Sequence, residues 1–418
     1  MIRRRAQVGI GGTPDIENRR SVLSPMAYAV PRGTLVSMAL MLMERTRDVR
    51  GFVGSVVELR DTIGVLSVTV GIEPGAGSGG TPPWEIALEN DLTRLRHDGS
   101  LGASPKKALE VISTRLAEVL DLASTGRGRA LYVALESGES REITLSKALP
   151  TGARVGLVAH VLPVLEALDR GERAVLIMAS RDAIVLFESE LGSVSEVGRI
   201  ELEPWVGDWW PEMKGPARAN PLRGQQTVSQ RDRYARRVAA AYRHTLDDAS
   251  ARLGVLARKR SWTRAVLAGD SRTVDALDGV LRECKLTTTT IRANLEGLRT
   301  EDALGRLDAA LETLVTEEQA RLAENVVSAS DGVCGLVPVL AALNEARVAR
   351  LLIDANRAFA GVVEAEILAA VGRDENALDL TDLIVARALT TDAVVTPIYG
   401  DAARTVAACE GIAALLRW

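Results

Sequence analysis

Residues 203–245 read EPWVGDWWPEMKGPARANPLRGQQTVSQRDRYARRVAAAYRHT, and how this stretch is understood decides the rest of the chain. Its first half resists regular structure, because Pro204, Pro211, Pro216 and Pro221 recur with Gly207 and Gly215 between them. Each proline removes a backbone donor and turns the residue before it away from helix, so a long loop is predicted over 204–228. Loops of that length inside a compact domain tend to carry function. Arg223-Gly224-Gln225-Gln226 follows, and then a helix start, with Ser229 as cap, Asp232 three residues on and an Ala- and Arg-rich run beyond.

Charge is the second peculiarity of the stretch. From Lys214 to Arg243 eight basic side chains stand against one acid, Asp232, in a chain whose net charge is −4. Such an island suits contact with a polyanion, while the plainer reading is a solvated helix face behind a surface loop. Trp205, Trp209 and Trp210 lie in the same loop. Aromatics beside arginines are suited to stacking on bases, and packing of the loop onto its own domain accounts for them equally.

The whole chain, 418 residues of which 47% are hydrophobic, has material for two or three cores. Aromatics make up only 3%, so those cores must be built from Val, Leu, Ile and Ala. Cys284, Cys334 and Cys409 are far apart and form no CxxC pair, which argues against a zinc ribbon, a thioredoxin-type site and a disulfide scaffold. The same usage fits a reducing cytosol, so a cytoplasmic protein is expected. With His97, His160 and His244 as its only histidines, the chain offers no histidine-rich metal site. No stretch approaches the ~20 apolar residues of a membrane helix. The apolar run at 34–43 is internal and ends in Glu44-Arg45 without a cleavage pattern, so it is not a signal peptide.

Taken in order, the pattern predicts an α/β chain of three domains behind a tail. Residues 1–50 read as that tail, disordered or lying ahead of a later translation start at Met38, Met41 or Met43, with one short helix at 34–48. Residues 51–151 form the first α/β domain, with helices at 53–60, 84–96 and 105–123 and strands at 64–72, 128–135 and 141–145. Leu149-Pro150-Thr151-Gly152 marks its end. Residues 152–298 form the middle domain. It holds a helix at 161–168, a hairpin of 173–179 and 183–188 turning at Ser180-Arg181-Asp182, a strand at 194–201, the loop and basic helix, a buried strand at 264–268, a helix at 271–282 and a strand–helix pair at 287–295. Gly269-Asp270-Ser271 either holds an anion at the following helix or simply caps it. In the third domain, 299–418, a long helix from residue 300 leads into alternating helices (335–345, one ending at 386–390) and strands (348–353, 394–399, 411–418). Gly75, Gly77 and Gly80 spell GxGxxG after a strand, but Thr81-Pro82-Pro83 separate them from the next helix. A flexible loop is the default there, and a nucleotide-dependent α/β enzyme stays a distant alternative.

The order of these features resembles the bacterial relatives of the archaeal and eukaryotic class-1 peptide-chain release factors and Pelota. The resemblance spans residues 55–418 and is most specific in 222–237 and in the closing GIAALLRW. It implies an RNase-H-like middle domain whose loop tip, Gly-Gly-Gln in that family, enters the peptidyl-transferase centre. There the glutamine positions a water to hydrolyse the ester between nascent peptide and tRNA. Carried over, Gly224 corresponds to the first glycine, Gln225 to the second and Gln226 to the catalytic glutamine. Arg223, Arg231, Arg233, Arg236 and Arg237 would bind ribosomal RNA. Such chemistry needs a water held in line and donors where charge develops. The ribosome and tRNA supply much of it, so no cofactor and no metal is implied. The implied partners are large-subunit RNA of the ribosome and peptidyl-tRNA, with a translational GTPase as a further candidate, and neither a membrane nor DNA.

One departure matters. Gly-Gln-Gln stands where Gly-Gly-Gln is expected, so Gln225 either clashes or is itself the acting glutamine. The stop-codon-reading Asn-Ile-Lys-Ser motif is also missing from the first domain, which turns the expectation from termination to ribosome rescue. Two readings remain open: a peptidyl-tRNA hydrolase, and a non-catalytic ribosome-binding factor of dormancy or hibernation that occupies the tRNA site.

Overall fold

The computed structural model describes residues 46–72, 81–98, 103–106, 108–110, 126–202, 224–293, 295, 298–364, 367–370 and 378–418, with backbone alone for 46, 47 and 224–234. All of them belong to the unit Leu40–Trp418. The tail before residue 46, the glycines at 75, 77 and 80, most of the helix expected at 105–123 and the proline-rich loop through Arg223 lie outside the described residues.

A run of Val, Leu and Thr makes strand β1 (Val65–Gly71), which pairs with β2 (Gly128–Ala134) and β4 (Gly152–Gly156); β3 (Ser140–Leu145) completes an antiparallel sheet of order β3-β2-β1-β4. Helix α1 (Thr46–Val57) covers one face through Phe52 and Val53, and α2 (Pro83–His97) covers the other through Trp84 and Leu88. Both faces of β1 are therefore covered, and Ser67 and Thr69, which alternate with Leu66, Val68 and Val70, are buried along with them. Two sequence expectations shift here. The first helix begins at Thr46 instead of residue 53, and Val49 is already fully buried. The sheet also continues past residue 151, because β4 supplies the partner for Val65–Thr69. Gly71 and Gly128 let the connection at 147–149 cross the strand ends: a Cβ there would stand 2.1 Å from the Leu149 carbonyl and 2.2 Å from that of Lys147.

Helix α3 (Leu162–Arg170) leads into the hairpin β5 (Ala174–Ala179) and β6 (Ala183–Glu190), closed by the Ser180 hydroxyl, which accepts the Ala183 N–H at 3.0 Å. After β7 (Ser193–Glu201) come α4 (Gly224–Arg260), β8 (Arg264–Gly269), α5 (Ser271–Glu283) and β9 (Thr287–Ile291). The sheet order is β7-β6-β5-β8-β9, with β6 antiparallel to both neighbours and β5, β8 and β9 parallel. The resemblance implied an α/β fold of RNase-H type for the middle unit, and a mixed sheet of five strands with helices is what forms there. Of the strand–helix pair expected at 287–295 only the strand forms among the described residues.

Helix α6 (Thr300–Ser328) buries Leu307, Leu311, Leu314 and Val315 on the middle sheet, then Ala323 and Val326 in the next core. There β10 (Gly332–Cys334), β11 (Val348–Asp354), β15 (Val394–Ile398) and β16 (Ile412–Leu416) form a sheet of order β10-β16-β11-β15, with α7 (Leu336–Asn344), α8 (Thr381–Thr390) and α9 (Gly400–Val406) around it. The small antiparallel sheet of β12 (Ala360–Glu364), β13 (Ile367–Ala370) and β14 (Leu378–Asp379) was not legible, because its strands are short and lean on Ala, Gly and Glu.

The cysteine reading needs correction. Cys334 and Cys409 form a disulfide, with Cα atoms 4.9 Å apart across a sequence separation of 75. Pairing of β10 with β16 brings them together, and linear spacing could not show that. Among the described residues no helix is long and apolar enough to cross a membrane.

Candidate functional site

Helix α4 runs for 37 residues, roughly 55 Å at 1.5 Å per residue. It starts at Gly224, not at the Ser229 cap that the sequence suggested. After Pro221 nothing in Gly-Gln-Gln-Thr-Val forbids helix: glutamine is a good helix former, and one glycine with two β-branched or hydroxyl residues costs little. Ser229 is thereby an interior position, and the tip residues Gly224, Gln225 and Gln226 form the first turn.

Its two halves have different environments. Leu246, Ala249, Leu253 and Ala257, spaced three or four apart, are buried against the middle sheet. Between 235 and 245 no residue is buried. The helix thus leaves its sheet at Leu246, and the 22 residues from 224 to 245 extend from it by roughly 33 Å.

The root of this arm is fastened by a polar chain. Tyr242 donates its hydroxyl to Thr273 Oγ1 at 2.7 Å, and Thr273 Oγ1 donates to Asp270 Oδ2 at 3.0 Å. The same carboxylate oxygen accepts the Thr273 N–H at 3.1 Å, capping α5, and Arg272 lies 5.4 Å over the Tyr242 ring. Burial works to raise the Asp270 pKa, but the Thr273 hydrogen bonds and Arg181 outweigh it and hold the carboxyl below its ordinary range. The N-terminus of α5 is therefore occupied by its own cap, which decides between the two readings of Gly269-Asp270-Ser271. Gly269 is required there: its φ is +124°, and a Cβ would stand 1.8 Å from the Ala179 carbonyl. Sequence reasoning missed Tyr242, Arg272 and Thr273, whose partnership depends on two helices meeting.

The expected site residues fall along this arm. Gly224, Gln225 and Gln226 are at its end, followed by Arg231 and Arg233, with Arg236 and Arg237 exposed further along; Arg223 lies outside the described residues. By helical spacing, positions 226, 233 and 237 share one face, 225 and 236 share another, and 231 lies apart from both. A helix N-terminus carries partial positive charge and arginine forks match phosphate oxygens, so the arm is chemically an anion-directed probe.

Residues 160–289 match the family model described as "Bacterial archaeo-eukaryotic release factor family 10". No curated protein matches the chain. Among solved structures, the chain is similar to the archaeal translation termination factor aRF1 at 16% identity, covering 89% of this chain and 98% of that one with a TM-score of 0.23. Pelota of Archaeoglobus fulgidus is 14% identical over 90% of this chain and 94% of its own, with a TM-score of 0.33. Dom34 of S. cerevisiae, titled as a termination-like factor of RNA quality control that interacts with Hbs1, is 9% identical over 70% and 80%, with a TM-score of 0.34. The family match spans β5 to β8, the beginning of β9 and the basic helix that leaves the sheet, and over that segment the chain is similar to bacterial release-factor-like proteins.

Proposed function

We propose that the chain is a cytoplasmic translation factor that carries the first turn of α4 into the peptidyl-transferase centre and hydrolyses peptidyl-tRNA on stalled ribosomes. The observation that supports it is the arm itself: Gly224, Gln225 and Gln226 end a helix that runs about 33 Å beyond its sheet, with arginines along it. A glutamine at the end of such an arm can order a water in a site whose remaining donors belong to RNA. Arg231, Arg233, Arg236 and Arg237 then grip phosphates behind it, with Arg223 as a further candidate for the same role. Archaeal Pelota has been described ribosome-bound with ABCE1, and Dom34 as interacting with Hbs1, so a translational GTPase partner belongs to this reading.

The test is release of labelled peptide from stalled ribosomal complexes by wild type, Gln226→Ala and Gln225→Ala. Loss of release in Gln226→Ala alone is expected. Equal release by all three would remove the catalytic assignment.

A second reading has its own observation. Gln225 occupies the position of a glycine, and the tip is helical instead of an open loop, which suits a ribosome-binding factor of dormancy that sits in the tRNA site without chemistry. That reading predicts salt-sensitive co-sedimentation with ribosomes and no peptide release, since phosphate contacts release counterions. Failure to co-sediment at low salt would sink both.

A further inference from the structure

Far from the arm in sequence, a cavity of about 180 Å³ opens between β1, β4 and α2, walled in part by Ser67, Asp91, Arg94, Thr151, Arg154 and His160. Its carboxylate is already satisfied: one Asp91 oxygen receives Arg94 at 2.8 Å and the other accepts the Ala153 N–H at 3.2 Å. Its donors are not. Among the described residues the nearest polar contact of the Arg154 guanidinium is His160 Nδ1 at 3.5 Å, and its ion pairs with Asp379 and Asp382 are long, at 4.0 Å each. His160 Nδ1 is held instead by Asp382 Oδ1 at 2.6 Å. The Ser67 hydroxyl oxygen accepts the His160 N–H at 2.9 Å and the Thr151 oxygen accepts the Gly71 N–H at 3.0 Å, and neither hydroxyl proton has an acceptor among the described residues.

A wall with surplus donors and satisfied acceptors defines its ligand by complement as an acceptor-rich oxyanion. We propose that this cavity binds a phosphate monoester, its charge taken by Arg154 and Arg94 and its remaining oxygens by the Ser67 and Thr151 hydroxyls. Arginine forks match phosphate oxygens in pairs. The three free oxygens of a terminal phosphate use this donor set more fully than the two of a diester, and the volume leaves space for part of an esterified group. The site is independent of the ribosomal reading, and either can fail without the other.

Calorimetric titration of the full chain with inorganic phosphate, and separately with a 5′-mononucleotide, tests it. Saturable binding is expected, weakened about tenfold or more by Arg154→Gln and by Arg94→Gln, the loss of one charged hydrogen bond each. Arg141→Gln, on the same sheet and paired with Glu139, should bind as wild type does, and thermal unfolding shows whether each variant is folded. Tighter binding of the mononucleotide supports an esterified ligand; equal affinity supports free phosphate as its source. Absence of saturable binding by both probes, or the same loss in Arg141→Gln as in Arg154→Gln, overturns the proposal.

Discussion

Gln225 concentrates the functional question in a single side chain. As the second residue of α4 it has a backbone that any residue adopts, so the side chain is not excluded by conformation. Replacing it with glycine restores Gly-Gly-Gln and loosens the first helical turn, since glycine costs about 1 kcal/mol relative to alanine inside a helix. Gln225→Gly is therefore expected to increase peptide release over wild type in the stalled-complex assay, because it frees Gln226 to approach the ester. A variant that releases no more peptide than wild type would favour the non-catalytic reading. The helix start itself was misread because Ser229 and Asp232 make a convincing cap in isolation. Local capping chemistry is one preference among several, and the five residues upstream, Gly224 to Val228, continue the helix past it.

At the level of elements, α6 brings two carboxylates of opposite behaviour to one junction. Glu312 receives Lys147 at 2.7 Å and Arg170 through both Nε and Nη2, tying the first sheet's exit and α3 to the spine. Burial raises its pKa, but these two cations more than offset that and leave it below the ordinary glutamate value. Its contribution to stability is thus complete above the ordinary value and lost as pH falls through the lowered one. Asp308, one turn earlier, is raised by burial and by the Glu312 charge, against partial relief from Lys147 and Arg127. Its ionised form costs stability above that raised value, and the cost vanishes below the ordinary aspartate value. Glu312→Gln should destabilise the fold by on the order of 1 kcal/mol at neutral pH, discounted for partial exposure, and Asp308→Asn should stabilise it. Denaturant unfolding at neutral and acid pH checks both, and the two differences should shrink in acid.

For the whole molecule, the Cys334–Cys409 bridge closes a loop of 75 residues around the C-terminal sheet. Constraint of an unfolded chain over such a loop is worth about 2–4 kcal/mol. Cys334→Ser is expected to lower stability by that amount when compared with the oxidised wild type, and to match it after reduction. A thiol count on denatured protein should find one thiol, Cys284, before reduction and three after it. Much of the architecture was legible because its strands are rich in aliphatic and β-branched residues: β1, the β5–β6 hairpin, β8, β11 and the long α6 all follow from composition and periodicity. What was not legible depends on parts distant in sequence. The fourth strand of the first sheet is an unremarkable Gly-Ala-Arg-Val-Gly until β1 offers it an edge, and the disulfide exists only once β10 meets β16. The arm's basic character was plain from the arginines, whereas its anchoring chain through Tyr242, Thr273 and Asp270 needed two helices in place.

Helix α6 also limits how the protein can be cut. A fragment ending at residue 298, where composition suggests a division, would strip Leu307, Leu311, Leu314 and Val315 from one face of the five-stranded sheet and leave that face wet. Carried through to Ser328, the same fragment keeps its lid but presents Ala323 and Val326 without their C-terminal neighbours. The middle and C-terminal units therefore share one rod, and because the first sheet and the C-terminal unit also share a core, limited proteolysis should not separate them.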